Sequence, residues 1–194
     1  MEEPTPFERL IWPVHTERLL IRRLEAGDVP ALFEIRRQPA VAQWMSAFPD
    51  DYDEFARAFS EPDRTETTLV MLRDGVLIGD LYLAVSDAWG QREVAAGTKR
   101  TQAEIGWSID PSYAGQGYAT EGAAELLRLC FVDLGLRRVT AGAFAANAAS
   151  IRVMEKIGMT IEGRGRQDSL HRDLGWVDGV SAAMLADEWR AGTR

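Results

Sequence analysis

The spacing of hydrophobic and polar residues changes several times along the chain, and each change marks an element. Arg18-Leu-Leu-Ile-Arg-Arg-Leu24 reads as a strand. Asp28-Val-Pro-Ala31 opens a helix, with Asp28 as N-cap and Pro30 in the first turn; Pro39 stops it near Gln38. A second helical stretch is expected over 40–60, broken at Pro49. Thr67–Arg73 and Val76–Val85 read as strands joined by Asp74-Gly75, a pair that suits a tight hairpin turn. Residues 87–101 carry Gly90, Gly97 and mixed charges, and predict an exposed loop or hairpin extension. In the next strand, Ala103 to Ile109, Ala103, Ile105, Trp107 and Ile109 alternate with Glu104, Gly106 and Ser108. The first set is expected in the core and the second on an opening.

A helix follows from Ala119 to Leu134, apolar at 123, 126, 127, 130, 131 and 134, with Gly135 as its stop. Then come a strand at Arg138–Phe144, a helix at Asn147–Ile157 ended by Gly158, and strands at 159–168 and 175–186. Hairpins at both ends of this order predict an α/β fold with a mixed (α+β) sheet rather than a doubly wound one. Residues 1–15 read as an extended lead-in and 16–190 as a single domain.

Composition narrows the function classes. A net charge of −8 argues against sequence-independent nucleic-acid binding and favours a cationic substrate. No apolar run is long enough for a membrane span, and the N-terminus lacks the pattern of a signal peptide. One cysteine, Cys130, fits a reducing cytoplasm, and its place on the apolar stripe assigns it to the core. His15 and His171 have no metal-ligand spacing, so no metal is expected; His15 reads as a surface residue and His171 as a turn residue.

The chemistry concentrates in Asp110 to Glu121, between a strand and a helix. Gly115 and Gly117 permit a tight turn, and the free N–H groups of the following helix suit a phosphate. A Walker-type loop needs Lys-Ser or Lys-Thr after its second glycine, but Tyr118-Ala119 stands there. The dinucleotide fingerprint needs a third glycine, where this chain has Thr120, and an acid closing the next strand.

Ala114-Gly-Gln-Gly-Tyr-Ala119 resembles a third type, the acetyl-CoA loop Gln/Arg-x-x-Gly-x-Gly/Ala of GNAT-type N-acetyltransferases, with Ala114 in place of Gln or Arg. Asn147-Ala-Ala-Ser-Ile-Arg-Val-Met-Glu-Lys-Ile-Gly-Met159 resembles the second motif of that family, one strand later. Thr16-Glu-Arg-Leu-Leu-Ile-Arg22, Gly27-Asp28, Gly175-Trp-Val-Asp178 and Glu188-Trp189 are similar to the branch that acetylates ribosomal-protein N-termini. The resemblance covers residues 16–190 and implies a mostly antiparallel sheet splayed between its fourth and fifth strands. It implies direct transfer of acetyl from acetyl-CoA to a primary amine, either a protein N-terminus or a small cationic amine. It also implies that backbone groups of Trp107, Ser108 and Ile109 pair with the pantetheine. Ala114, Gly115, Gln116, Gly117, Tyr118, Ala119 and Thr120 would surround the pyrophosphate, with Asn147 and Ser150 at the thioester end. The chain admits a homodimer.

Transfer to an amine requires that the amine lose a proton and that the leaving sulfur be stabilised. Glu104 is the candidate base, and partial burial there would raise its pKa toward a useful range. A solvated strand glutamate is the alternative. Many relatives place a Tyr acid where this chain has Met154, so Ser150, a turn after Asn147, is the candidate donor to sulfur. Ser150 also fits an ordinary first-turn serine, and Asn147 a plain N-cap. Trp44, Met45 and Phe48 are candidates to wall the acceptor site. A non-catalytic acyl-CoA-binding or sensing module of the same fold is the alternative function, favoured by Ala114 and Met154.

Overall fold

The structure, a computed structural model, describes residues 6–48 and 50–192. Pro49, the expected break, and residues 1–5 of the expected lead-in lie outside the described residues. The strands are β1 (Val14–His15), β2 (Leu20–Arg23), β3 (Thr68–Arg73), β4 (Val76–Ser86), β5 (Gln102–Ile109), β6 (Arg138–Phe144), β7 (Thr160–His171) and β8 (Gly175–Leu185). The helices are α1 (Pro6–Arg9), α2 (Val29–Arg36), α3 (Pro39–Ala42), α4 (Tyr52–Ala58), α5 (Pro62–Thr65), α6 (Tyr118–Arg128), α7 (Ala148–Lys156) and α8 (Ala186–Gly192). Among the described residues the strands join one sheet in the order β1-β2-β3-β4-β5-β6-β8-β7. It is mixed, as expected: β5 and β6 are parallel over three pairs, from Gln102↔Arg138 to Glu104↔Thr140, while β6–β8 and β7–β8 are antiparallel. β1 and α1 fall within the stretch expected to be an extended lead-in.

The chain divides into two compact units, one of Ile11–Leu83 with Gly106–Glu125, the other of Ala84–Ile105, the chain from Leu126 on and the stretch up to Leu10. In the first, β2, β3 and β4 form an antiparallel ribbon. Asp74 and Gly75 turn the β3–β4 hairpin with φ of 50° and 80°, the positive pair a two-residue turn requires. Leu24, Val29, Leu32, Phe33, Phe55, Phe59 and Val70 make its apolar core. The Phe33 and Phe55 rings meet edge-on at 5.4 Å. The helical stretch expected over 40–60 is two short helices, α3 and α4, on either side of position 49, where the break was expected. Pro39 starts α3 after an extended Gln38, and Asp51 caps α4 by accepting the Glu54 N–H at 2.7 Å.

In the second unit β8 lies between β6 and β7. The chain of α6 continues through a π-helical turn at Leu129–Asp133, and Leu126, Leu127, Cys130, Phe131 and Leu134 are buried as the stripe predicts. Gly135, at φ 67°, ends it. The 87–101 connection holds a 3-10 segment, Arg92–Thr98, and exposes Trp89 and Val94.

Asp28 departs from the reading of it as the N-cap of α2, since its carboxylate accepts nothing from that helix. Instead it forks onto Arg22, at 2.6 and 2.8 Å, and accepts the Glu25 N–H at 2.8 Å, capping the 3-10 turn before α2. Two guanidinium hydrogen bonds outcompete a weaker helix amide. Burial pushes the Asp28 carboxyl up, but the Arg22 hydrogen bonds, the Glu25 N–H and the Arg22 charge together hold it below its usual range. A carboxyl lowered in the folded state stabilises the fold above its unfolded pKa and loses that contribution as pH falls through the folded value. Asp28→Ala should therefore cost about 1.5–3 kcal/mol at neutral pH. The gap from the parent should narrow as urea unfolding is repeated below about pH 4.

Candidate functional site

The loop before α6 is built by its own turns. Asp110 caps the 3-10 turn Pro111–Tyr113, accepting from Ser112 N at 2.9 Å and Ser112 Oγ at 2.7 Å. Gly115 and Gly117 then take φ of 74° and 87°, a left-handed backbone that residues with a Cβ rarely adopt. The chain enters α6 at Tyr118, and the Glu121 N–H reaches the Gly117 carbonyl at 2.9 Å. The amides of Tyr118, Ala119 and Thr120 lie ahead of that bond and have no helix carbonyl to donate to. Ala114, Gly115 and Gln116 are exposed, so this set of amides has access to an anionic group.

Residues given no role from sequence hold the loop. Glu121 accepts from Thr16 Oγ at 2.5 Å, the Arg18 backbone N–H at 2.8 Å and Arg18 Nε at 2.7 Å. Arg18 Nη1 donates to the Gln116 carbonyl at 3.0 Å, and its guanidinium carbon stands 4.4 Å from the centre of the buried Tyr118 ring. Arg73 approaches the same ring at 5.1 Å. Arg18 and Arg73 also line a concavity of about 530 Å³ beside the β3–β4 turn. Burial pushes the Glu121 carboxyl up, and the bonds from Thr16 and Arg18 with the Arg18 charge bring it below the usual carboxylate range. The sequence signal for this tie is one base, Arg18, in the segment Thr16 to Arg22, and one acid, Glu121, at the end of Asp110 to Glu121.

Along β5 the expected division of faces changes. Ala103 and Ile105 are buried and Glu104 is exposed, as alternation predicts. Trp107 and Ile109, expected in the core, are only half-buried, whereas Ser108, expected on an opening, is buried. The Ser108 hydroxyl donates to Asp80, whose carboxylate is also forked by Arg36 from α2. Along β5 Glu104 is thus exposed and Ser108 buried, with the Ser108 hydroxyl tied to the Asp80 carboxylate that Arg36 forks. Gly79 shares this packing: a Cβ on it would lie 2.3 Å from the Ser108 carbonyl oxygen. Glu104 also lacks the partial burial expected of it.

At the head of α7, Asn147 is buried and its side chain accepts the Ser150 N–H at 3.1 Å, so it is an N-cap. Ser150 is half-buried on the first turn. Met154, one turn on, is 1% exposed and belongs to the core. Cys130 is fully buried, and desolvation pushes its thiol up to about 12, which keeps it from acting as a nucleophile near neutral pH. His171 closes the β7–β8 turn, its Nδ1 accepting from Asp173 N at 3.1 Å and Leu174 N at 3.3 Å. His15 is exposed. Trp44 and Met45 are half-buried and Phe48 is exposed.

A family model described as an acetyltransferase (GNAT) domain matches residues 18–160. An uncharacterized N-acetyltransferase of Bacillus subtilis, YnaD, is 32% identical over 182 residues, covering 91% of this chain and 98% of that one. The L-amino acid N-acetyltransferase AaaT of Escherichia coli is 27% identical over 169 residues, covering 86% of this chain and 98% of that one. A solved GNAT-family acetyltransferase from Bacillus anthracis matches with a TM-score of 0.76 and 27% identity, covering 91% of this chain and 99% of that one. RimJ of Mycobacterium smegmatis, solved with CoA-disulfide, shares the fold at a TM-score of 0.69 and 22% identity, covering 91% and 90% of the two chains.

The buried pair under β5 gives a stability expectation. The Asp80 side chain is 2% exposed and that of Arg36 13%, so Asp80→Ala strands a largely buried cation. Such a loss costs about 3–5 kcal/mol. Ser108→Ala leaves the ion pair intact and should cost only about 1 kcal/mol. Urea unfolding of the two variants measures the difference; equal costs would mean that the serine, not the pair, carries the contribution.

Proposed function

Since the chain belongs to the GNAT acetyltransferase family, whose members move an acetyl group from acetyl-CoA to an amine, we propose how its own residues divide that work. The observation that carries the reading is the loop with two left-handed glycines opening α6. Its amides from Gly115 to Thr120 receive the pyrophosphate, with Ala114, Gln116 and Tyr118 forming the frame of the turn. Backbone groups of Trp107, Ser108 and Ile109 pair with the pantetheine; the buried Ser108 hydroxyl takes no part, since it is already committed to Asp80.

Acetyl-CoA supplies an activated acetyl group as a thioester, and the amine nitrogen forms its new bond to the carbonyl carbon as the carbon–sulfur bond breaks. Glu104 accepts the proton that the ammonium must lose, directly or through a water. Its exposure in the protein alone means that desolvation of its carboxylate comes from the bound substrates. Ser150 donates a hydrogen bond to the departing sulfur. Asn147 acts by capping the helix turn that carries Ser150, a role its own hydrogen bond supports.

The acceptor is a cationic primary amine, either a peptide N-terminus or a small polyamine-like molecule. The net charge of −8 supports this reading through long-range attraction. The reaction takes place in the cytoplasm, where acetyl-CoA and a reduced Cys130 are both at home. Thiol release from acetyl-CoA against a panel of peptides, amino acids and polyamines tests the acceptor; turnover of neutral or anionic amines alone would overturn it.

Two substitutions test the roles. Glu104→Gln should lower turnover by about 10²-fold with acetyl-CoA binding intact, and the loss should shrink at high pH, where more acceptor is already neutral. Unchanged turnover at neutral pH would make Glu104 a solvated strand residue. Ser150→Ala should slow single-turnover transfer by about one to two orders of magnitude, the worth of one hydrogen bond to a charged acceptor. An unchanged single-turnover rate, with transfer shown to be the limiting step, would leave solvent as the proton source. Met154→Tyr is not expected to replace Ser150, because the position is buried in the core and the phenol would overpack it.

A further inference from the structure

We propose that Arg18 is a positioning residue for the cofactor loop, fixing the Gln116–Gly117 peptide so that the Gly117 N–H is presented to the pyrophosphate of acetyl-CoA. This rests on the reading above, that the loop holds the pyrophosphate. A trans peptide is planar, so its C=O and N–H point in opposite directions. Arg18 Nη1 holds the Gln116 carbonyl at 3.0 Å. The N–H across the same peptide, that of Gly117, is therefore turned away from Arg18 and toward the other side of the loop. Glycine on the far side of this peptide, and again at Gly115, leaves little steric resistance to a flip. A flip would present a carbonyl oxygen where an anion needs a donor. Ala114 has no side-chain donor that could hold the loop instead.

Arg18 is itself held from three directions. Glu121 Oε2 takes Nε at 2.7 Å and Nη2 at 2.6 Å. Glu121 Oε1 takes the Arg18 backbone N–H at 2.8 Å, together with Thr16 Oγ. The Tyr118 ring lies under the guanidinium, and Gly117 packs close: a Cβ there would meet Nη2 at 3.4 Å. The Arg18 charge is matched by that of Glu121, so its long-range pull on an anion is small. Its influence on the loop runs through the orientation of one peptide.

The geometry separates this role from two others, direct contact with the cofactor and general support of the fold. The test compares kcat/KM for three acetyl donors: acetyl-CoA, acetyl-dephospho-CoA and acetyl-pantetheine, of which only the first two carry the pyrophosphate. Arg18→Ala should lower kcat/KM about tenfold for both nucleotide donors by the same factor, the worth of one hydrogen bond to a charged group. The loss should lie in KM, with kcat at saturation kept, and acetyl-pantetheine should be used as by the parent. Arg18→Lys should show the same pattern, since one ammonium cannot serve both Glu121 and the Gln116 carbonyl as the planar fork does. It also serves if Arg18→Ala fails to fold. A loss confined to acetyl-CoA would mean direct contact with the 3′-phosphate and overturn the proposal. An equal loss on all three donors would assign Arg18 to general stability, and no loss on any would remove it from the site. Failure of the parent itself to use acetyl-CoA in preference to acetyl-pantetheine would instead overturn the placement of the pyrophosphate.

Discussion

A helix that begins beside an open turn carries amides that its own carbonyls cannot satisfy, and the first turn of α6 is such a place. The surrounding structure answers to that constraint. Two left-handed glycines bring the chain into the helix without side chains over the amides. Tyr118, buried at the first helical position, anchors the entry by its ring rather than by a cap. Glu121, one turn in, ties the helix to Thr16 and Arg18 ahead of β2. Opening the loop would therefore also break a charged tie between segments 103 positions apart in sequence.

The second charged tie solves a different problem. Ser108 lies on a strand whose face changes from exposed at Glu104 to covered four residues later. An apolar cover would have asked for an apolar residue at 108. The chain instead buries Asp80 and balances it with Arg36. A buried pair gives little net stability, since desolvation offsets most of the attraction, but it is intolerant of misalignment. That intolerance suits the place: Asp80 fixes Ser108 on the strand whose backbone groups take the pantetheine in the reading above.

Local rules read well where the information is local. The Asp74-Gly75 turn and the buried stripe through Cys130 and Leu134 follow from neighbouring residues alone. The mixed sheet followed from the order of elements. Misreadings fall where a distant residue decides. Asp28 has the composition and position of a cap for α2, and Arg22, on the preceding strand, claims its carboxylate. Ser108 has the place in the alternation of β5 that predicts an opening, yet it is buried, donating to the Asp80 carboxylate that Arg36 of α2 forks. The two glycines of the loop before α6 were legible as geometry, whereas the arginine that holds Gln116 was not, since no spacing rule links Arg18 to Gln116. Glu104 is exposed, as the alternation predicts, but it lacks the partial burial expected of a base.

Met154 shows how the helix that bears the second motif constrains the chemistry. Side chains four apart share a helix face, yet Ser150 is half-buried while Met154 is sealed in the core. The face therefore tilts inward along α7, leaving its first turn the more accessible at Ser150. Under the proposed roles, the group that acts on the departing sulfur would sit within that turn, where Asn147 caps the backbone. A serine there reaches less far than a phenol from the next turn and is a much weaker acid. In that proposal its contribution is a hydrogen bond to the departing thiolate, which is a far better leaving group than an alkoxide and can leave without full protonation. The larger demand then falls on the amine, whose ammonium form predominates near neutral pH. With the roles proposed, Glu104, exposed on β5, would then matter more to the rate than Ser150.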